Sequence, residues 1–230
     1  MNYRYGDVAR SIDHALLGPA LTDRELEAGC KLAAHYGVAS VCILPYYLPR
    51  AVDLLRGSGV VASTTVGFPH GGQATSVKLV EAIRALDDGA DELDVVVNIS
   101  KMVSGDLAYV RSELGAMADL VHGRGKKIKV IFENSYLSEE QKIALCGITG
   151  HTRADWAKTS TGFSSGGATI EDVRLMRAHC PPEVQVKASG GIHDLDALLA
   201  FVALGATRIG TSRTRDILEE CRRRLARQPA

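Results

Sequence analysis

A single (β/α)8 barrel is the fold this sequence predicts, and three observations predict it. Short β-branched runs alternate with amphipathic segments along the chain. Several of those runs are almost continuously apolar, as parallel strands covered on both faces are. The length, 230 residues, suits one such barrel. With only seven prolines and no linker-like, low-complexity or charge-block segment, residues 1–230 read as one barrel domain.

The strand-like runs are 38–44, 60–66, 92–97, 127–132, 154–158, 183–188 and 208–210. That makes seven βα units, and a regular barrel needs eight. The missing strand must be the short segment 12–17, which pattern alone does not mark as a strand. Helix starts are signalled between the runs. Thr22-x-x-Glu25 and Ser138-x-x-Gln141 fit capping boxes, and Thr169 and Asp194 fit N-caps. Gly57, Gly89, Gly123 and Gly205 are expected to close helices. A doubly wound sheet should carry a glycine-rich dinucleotide fingerprint after its first strand. Here the first clear strand runs into Cys42-Ile43-Leu44-Pro45, which favours the barrel.

Composition narrows the function. Lys plus Arg and Asp plus Glu number 27 each, so no basic field attracts nucleic acid or an anionic membrane. Cys30, Cys42, Cys146, Cys180 and Cys221 are scattered and never spaced C-x-x-C. They read as free thiols in a reducing compartment, not as a disulfide framework or a zinc site. The segment MNYRYGDVAR lacks a signal-peptide core, and no apolar run approaches membrane-spanning length. A cytoplasmic location is expected.

In such barrels the functional residues sit at the C-terminal ends of strands, and those ends are polar here. Lys158 and Lys187 end consecutive strands. Pointing inward, their ammonium groups would lie roughly 5 Å apart and repel by about 3 kcal/mol at an effective dielectric near 20. That would bring a lysine from a pKa of about 10.4 to about 8, and a neutral amine is the species that attacks a carbonyl carbon. The alternative is two lysines that snorkel to solvent. Asp94 lies in an apolar strand before Val95, Val96 and Val97. A carboxylate there either moves protons or pairs structurally with a lysine. Lys129 is a further candidate inward charge, although the alternation of Lys127-Ile128-Lys129-Val130 allows either face. A phosphate site in these barrels is commonly built from the last two βα loops. Those loops carry Gly190-Gly191 and Gly210-Thr211-Ser212, and Thr161-Gly162 extends the cradle.

These residues resemble the deoxyribose-phosphate aldolases. Asp155 to Gly162, with the core Lys158-Thr159-Ser160-Thr161-Gly162, is similar to one family signature. Val186-Lys187-Ala188-Ser189-Gly190-Gly191 is similar to the second. Glu92-Leu93-Asp94-Val95-Val96 and Ser11-Ile12-Asp13-His14-Ala15-Leu16-Leu17 match in the same order. The resemblance implies a class I, Schiff-base aldolase that reversibly cleaves 2-deoxy-D-ribose 5-phosphate to acetaldehyde and D-glyceraldehyde 3-phosphate with no metal or organic cofactor. By motif position Lys158 would be the Schiff-base lysine, Lys187 the neighbour that lowers its pKa, and Asp94 the proton relay. Gly162, Gly190, Gly191 and Ser212 would bind the phosphate, and Asp13 falls near the active-site network. The expected partners are a sugar phosphate and aldehydes, not nucleic acid or membrane, and a homodimer is allowed.

Two departures bear on the acceptor. Arg213-Thr214-Arg215 follows Ser212 where the family has a second Ser and a small residue. Arg213 at a helix N-terminus opposes the dipole unless an anion sits there, so it is read as pointing to solvent or as a phosphate ligand. His193 stands where the family often has Arg. A related Schiff-base aldolase with a different aldehyde acceptor is therefore the second reading. A phosphosugar isomerase or lyase using Asp94 as base, and a non-catalytic sugar-phosphate binder, are the others. Cys42 reads as a buried strand thiol, His70 as a strand-end residue without metal partners, and Trp156 as barrel packing on the parity of Lys158.

Overall fold

The computed structural model describes residues 3–227. Its strands are β1 (Ile12–Leu16), β2 (Ser40–Ile43), β3 (Val61–Val66), β4 (Glu92–Val96), β5 (Lys127–Ile131), β6 (Trp156–Lys158), β7 (Gln185–Ser189) and β8 (Ala206–Thr211). Its helices are α1 (Tyr5–Ser11), α2 (Asp23–Tyr36), α3 (Leu48–Leu55), α4 (Thr75–Asp87), α5 (Ile99–Val103), α6 (Leu107–Gly123), α7 (Glu139–His151), α8 (Ile170–His179), α9 (Leu195–Ala203) and α10 (Thr214–Ala226). Each strand pairs in parallel with the next, and β1 pairs with β8, so the sheet closes into a (β/α)8 barrel.

The strand inferred by elimination exists. β1 reads Ile-Asp-His-Ala-Leu and is polar on both faces, which is why its pattern is faint. Asp13 points inward. His14, on the outer face with Ile12, is buried and bonds through Nδ1 to Thr214 Oγ1 at 2.9 Å. That contact ties β1 to the first turn of α10.

Helix ends follow the side chains expected of them. The Thr22 and Ser138 capping boxes form, and Thr169 and Asp194 accept the backbone N–H groups of Asp172 and Ala197. Gly57, Gly89 and Gly205 follow α3, α4 and α9. Gly123 is a correction: it is the last residue of α6, and the left-handed turn beyond it falls to Gly125.

Strand alternation divides the molecule into two interiors. Outward residues such as Val41, Leu93, Val95, Ile128, Val130, Val186 and Ile209 join Leu26, Leu48, Leu114, Met117 and Ile217 of the helices in the apolar core. Inward residues are mostly polar. The register sets Asp94 beside Thr65 and Lys129, Lys158 beside Lys187, and Lys187 beside Arg208. Barrels of this kind usually fill the centre with branched aliphatic layers; this one fills it with ions.

His14 generates a stability prediction. Burial lowers its pKa from 6.5 to about 4, so the folded state holds it neutral while the unfolded chain protonates first. Its contribution is complete above pH 6.5 and falls away toward pH 4, by up to about 3 kcal/mol. Urea midpoints measured at pH 7, 5.5 and 4.5 should decline, and His14→Gln should flatten that decline.

Candidate active site

At the C-terminal mouth of the barrel lies a cavity of about 390 Å³. Of the residues singled out from sequence, Asp13, Lys158, Thr161, Gly162, Lys187, Gly190, Gly191 and Ser212 line it. Asp94 sits just beneath, fully buried. Cys42 and His193 also line the cavity. Arg213 does not: its side chain is 59 % exposed and pairs with Asp216 at 3.3 Å. Arg213, the N-cap of α10, thus pairs with a carboxylate of the helix's own first turn.

The catalytic candidates form one ionic cluster. Lys158 Nζ donates to Asp94 Oδ2 at 2.8 Å, and Lys187 Nζ donates to that same oxygen at 2.8 Å. Lys187 also donates to Asp13 Oδ2 at 2.5 Å. Lys129 takes the other Asp94 oxygen at 2.8 Å and meets Glu92 at 2.5 Å. Arg208 spans the far end, with Nη1 to Asp13 at 2.5 Å and Nη2 to Glu92 at 2.7 Å. Its guanidinium stacks on the buried Trp156 ring at 4.9 Å. Trp156 thus floors the barrel, as its parity suggested.

Burial is the first cause of the low Lys158 pKa. Desolvation disfavours the ammonium form, Lys187 adds to this, and Asp94 opposes it without cancelling it. For Lys187 burial also pulls down, but Asp13 and Asp94 outweigh it and the net shift is upward. The pair is thus asymmetric: Lys187 has two carboxylates and stays charged, while Lys158 shares one. Burial alone would raise Asp94, yet Lys129, Lys158 and Lys187 hold it well below the usual carboxylate range. Asp13 is held down in the same way by Lys187, Lys129 and Arg208. The Cys42 thiol, 3.9 Å from Asp94 Oδ2, is pushed up by burial and by that carboxylate. It is a buried thiol and not a thiolate nucleophile.

The rim of the cavity is rich in glycines whose backbone strains or excludes a side chain. Gly162, Gly190 and Gly191 all have positive φ. A Cβ on Gly190 would fall 2.9 Å from the Gly167 backbone, and one on Gly210 would fall 2.8 Å from Ser189 Cβ. Thr159 and Ser189 lace the ends of β6 and β7 together through Ser189 N to Thr159 Oγ1 and Thr159 Oγ1 to Ser189 O, both 3.1 Å.

Sequence reasoning missed Glu92, Arg208 and Glu133, and left the face of Lys129 open. Lys129 is fully buried and points inward. Glu133, just after β5, is a buried non-glycine residue at φ 56. Its carboxylate accepts from Thr161 N at 3.2 Å, from Thr161 Oγ1, and from Ser164 Oγ at 3.0 Å. It thereby fixes the loop after β6. The available signal was a glutamate at a strand end, Ile131-Phe132-Glu133.

Comparison with known proteins finds relatives over nearly the whole chain. Residues 8–220 match the model of the family described as DeoC/LacD family aldolase. A deoxyribose-phosphate aldolase of Rhodopirellula baltica is 55 % identical over 224 residues, covering 97 % of this chain and 93 % of that one. A solved structure described as an aldolase superposes with a TM-score of 0.91 at 38 % identity, over 96 % of this chain and 99 % of the other. Another, a deoxyribose phosphate aldolase from Aeropyrum pernix described as tetrameric, superposes with a TM-score of 0.89 at 32 % identity, over 95 % and 92 %.

Glu133→Ala should release the loop after β6. Amide hydrogen exchange at Thr161 and Phe163 is expected to quicken at least about tenfold, as loss of a charge-assisted hydrogen bond implies, with β-strand amides unchanged.

Proposed function

We propose, because this chain belongs to the DeoC/LacD family of aldolases, that it reversibly cleaves 2-deoxy-D-ribose 5-phosphate to acetaldehyde and D-glyceraldehyde 3-phosphate through a Schiff base on Lys158. One observation carries the assignment of the lysine. Lys158 lines the cavity and shares its only carboxylate oxygen, Asp94 Oδ2, with Lys187, while Lys129 takes the other oxygen.

The steps follow from that arrangement. The free amine of Lys158 adds to the C1 aldehyde of the open-chain sugar. Loss of water from the carbinolamine leaves an iminium, with protons handled by Asp94 and the Lys187 ammonium beside it. The C3 hydroxyl loses its proton, the C2–C3 bond breaks toward C2, and glyceraldehyde 3-phosphate departs. The remaining enamine takes a proton at C2, and water hydrolyses the iminium to acetaldehyde and free Lys158. The phosphate is read at the other pole of the cavity, on the backbone N–H groups of Gly162, Gly190 and Gly191 with Thr161 and Ser212. Asp13 serves by holding Lys187. The scheme uses no cofactor.

The five buried thiols suit a cytoplasmic setting. Among the described residues no helix is long and apolar enough to cross a membrane. Self-association is also part of this reading. Val77, Val80 and Ile83 form an exposed stripe on α4, and Val103 and Leu107 add to it from the α5–α6 connection. A homodimer would cover such a stripe. Light scattering should return twice the 24.6 kDa chain mass, and Val80→Lys should return the monomer.

Borohydride added to enzyme and 2-deoxyribose 5-phosphate should leave a reduced adduct on Lys158, located by peptide mass spectrometry. Lys158→Ala should abolish turnover, and Asp94→Asn should slow it by about 10²–10⁴-fold. An adduct on Lys187 instead would reverse the two lysines' roles. Because the amine must be free, kcat/KM should rise with pH through an acid limb set below the usual lysine range. The same assay with sugars lacking the phosphate measures how much the glycine rim contributes.

A further inference from the structure

Seven charged side chains meet inside the barrel among the described residues: Lys129, Lys158, Lys187 and Arg208 against Asp13, Glu92 and Asp94. Four cations face three carboxylates, so full ionisation leaves one positive charge unbalanced in a largely buried cluster. Burying an unmatched charge is strongly unfavourable, and a group that can neutralise does so. The guanidinium cannot give up its proton. Lys129 touches Asp94 and Glu92, and Lys187 touches Asp13 and Asp94. Lys158 touches Asp94 alone.

Two chains of contacts converge on Asp94, one on each carboxylate oxygen. One runs from Arg208 through Asp13 and Lys187 to Asp94. The other runs from Glu92 through Lys129 to Asp94. Arg208 and Glu92 lie one layer below the reacting amine, remote from the cavity, and Arg208 is reached by solvent only from the opposite mouth. We propose that Glu92 and Arg208 are positioning residues that fix the charge count of the barrel interior, so that Lys158, whose one carboxylate is shared with two other lysines, is the group that gives up its proton most readily. This rests on the reading of Lys158 as the Schiff-base lysine.

The groups around Lys158 come from every other strand. They are Asp13 (β1), Cys42 (β2), the hydroxyls of Ser63 and Thr65 (β3), Glu92 and Asp94 (β4), Lys129 (β5), Lys187 (β7) and Arg208 (β8). Glu133 and His193 stand at the mouth. Of these, Glu92 and Arg208 change the count from outside the reacting layer, and they change it in opposite directions. Without Glu92, four cations face two carboxylates, and Lys158 gives up its proton more readily. Without Arg208, three cations face three carboxylates, and the Lys158 ammonium becomes the balanced form.

The test is the pH dependence of kcat/KM for 2-deoxyribose 5-phosphate with the full chain, since its acid limb reports the free enzyme. Glu92→Gln should move the limb to lower pH, and Arg208→Met should move it to higher pH. Each shift should be about one pH unit, the size expected from one charge a layer away at an effective dielectric near 20. Arg208→Lys should leave the limb in place, and the double variant Glu92→Gln with Arg208→Met should bring it back. A merely structural role would lower rates or thermal midpoints without moving the limb, or would move it the same way in both variants; either result overturns the proposal. If Arg208→Met does not fold, the near-isosteric Glu92→Gln decides alone, and a limb that fails to fall overturns it. Borohydride trapping separates the two levels. No adduct on Lys158 in the unaltered enzyme sinks the Schiff-base reading itself, whereas an adduct with unshifted limbs sinks only the charge-count inference.

Discussion

Everything at the centre of this molecule depends on Asp94. Its two carboxylate oxygens take three lysines, two of them on one atom. That sharing lets cationic side chains occupy the place usually filled by aliphatic layers. It also ranks them: the lysine with a second carboxylate keeps its proton, and the lysine without one is the readier to lose it. A surface ion pair is screened and weak, whereas here the partners are buried and each contact changes the ionisation of its neighbours.

Much of the fold was legible because most strands carry an apolar outward face between helices, formed by Leu93 and Val95 in β4 and by Ile128 and Val130 in β5. β3, β4 and β5 were read within about a residue of their observed ends, an uncertainty normal for such boundaries. β1 was not legible from its pattern, because Asp13 faces the ionic interior and His14 bonds to α10, so neither face is apolar. Gly123 misled because helix stops were assigned by residue type, while the left-handed turn two residues later is what ends α6.

The site was legible where side chains sit at strand ends next to distinctive loops, as Lys158, Lys187 and the paired glycines do. Glu92, Lys129 and Arg208 were harder, since their meaning lies in contacts across the barrel. Arg208 meets Asp13 from 195 residues away and Glu92 from 116. One-dimensional reasoning also gave the leading part in activating Lys158 to repulsion from Lys187. Burial leads instead, because the carboxylates that answer Lys187 could not be seen from spacing. Glu133 was hidden for a local reason: a left-handed glutamate has no sequence signature, and only its grip on Thr161 and Ser164 explains the strained backbone.

The cross-barrel cluster has a consequence for how the chain reaches its native state. Asp13 comes from the first strand, while its partners Lys187 and Arg208 come from the last two. Until β8 docks beside β1, Asp13 lacks Arg208, while Lys187 and Arg208 still have Asp94 and Glu92 as partners. An open, partly assembled sheet therefore carries a polar inner face and gains little by stacking on another copy of itself. Closure of β8 on β1 completes the set by joining Arg208 to Asp13. The ions around one amine thus also tie the two ends of the chain together, and a chain that lacks β8 leaves Asp13 with Lys187 alone and Glu92 without its guanidinium.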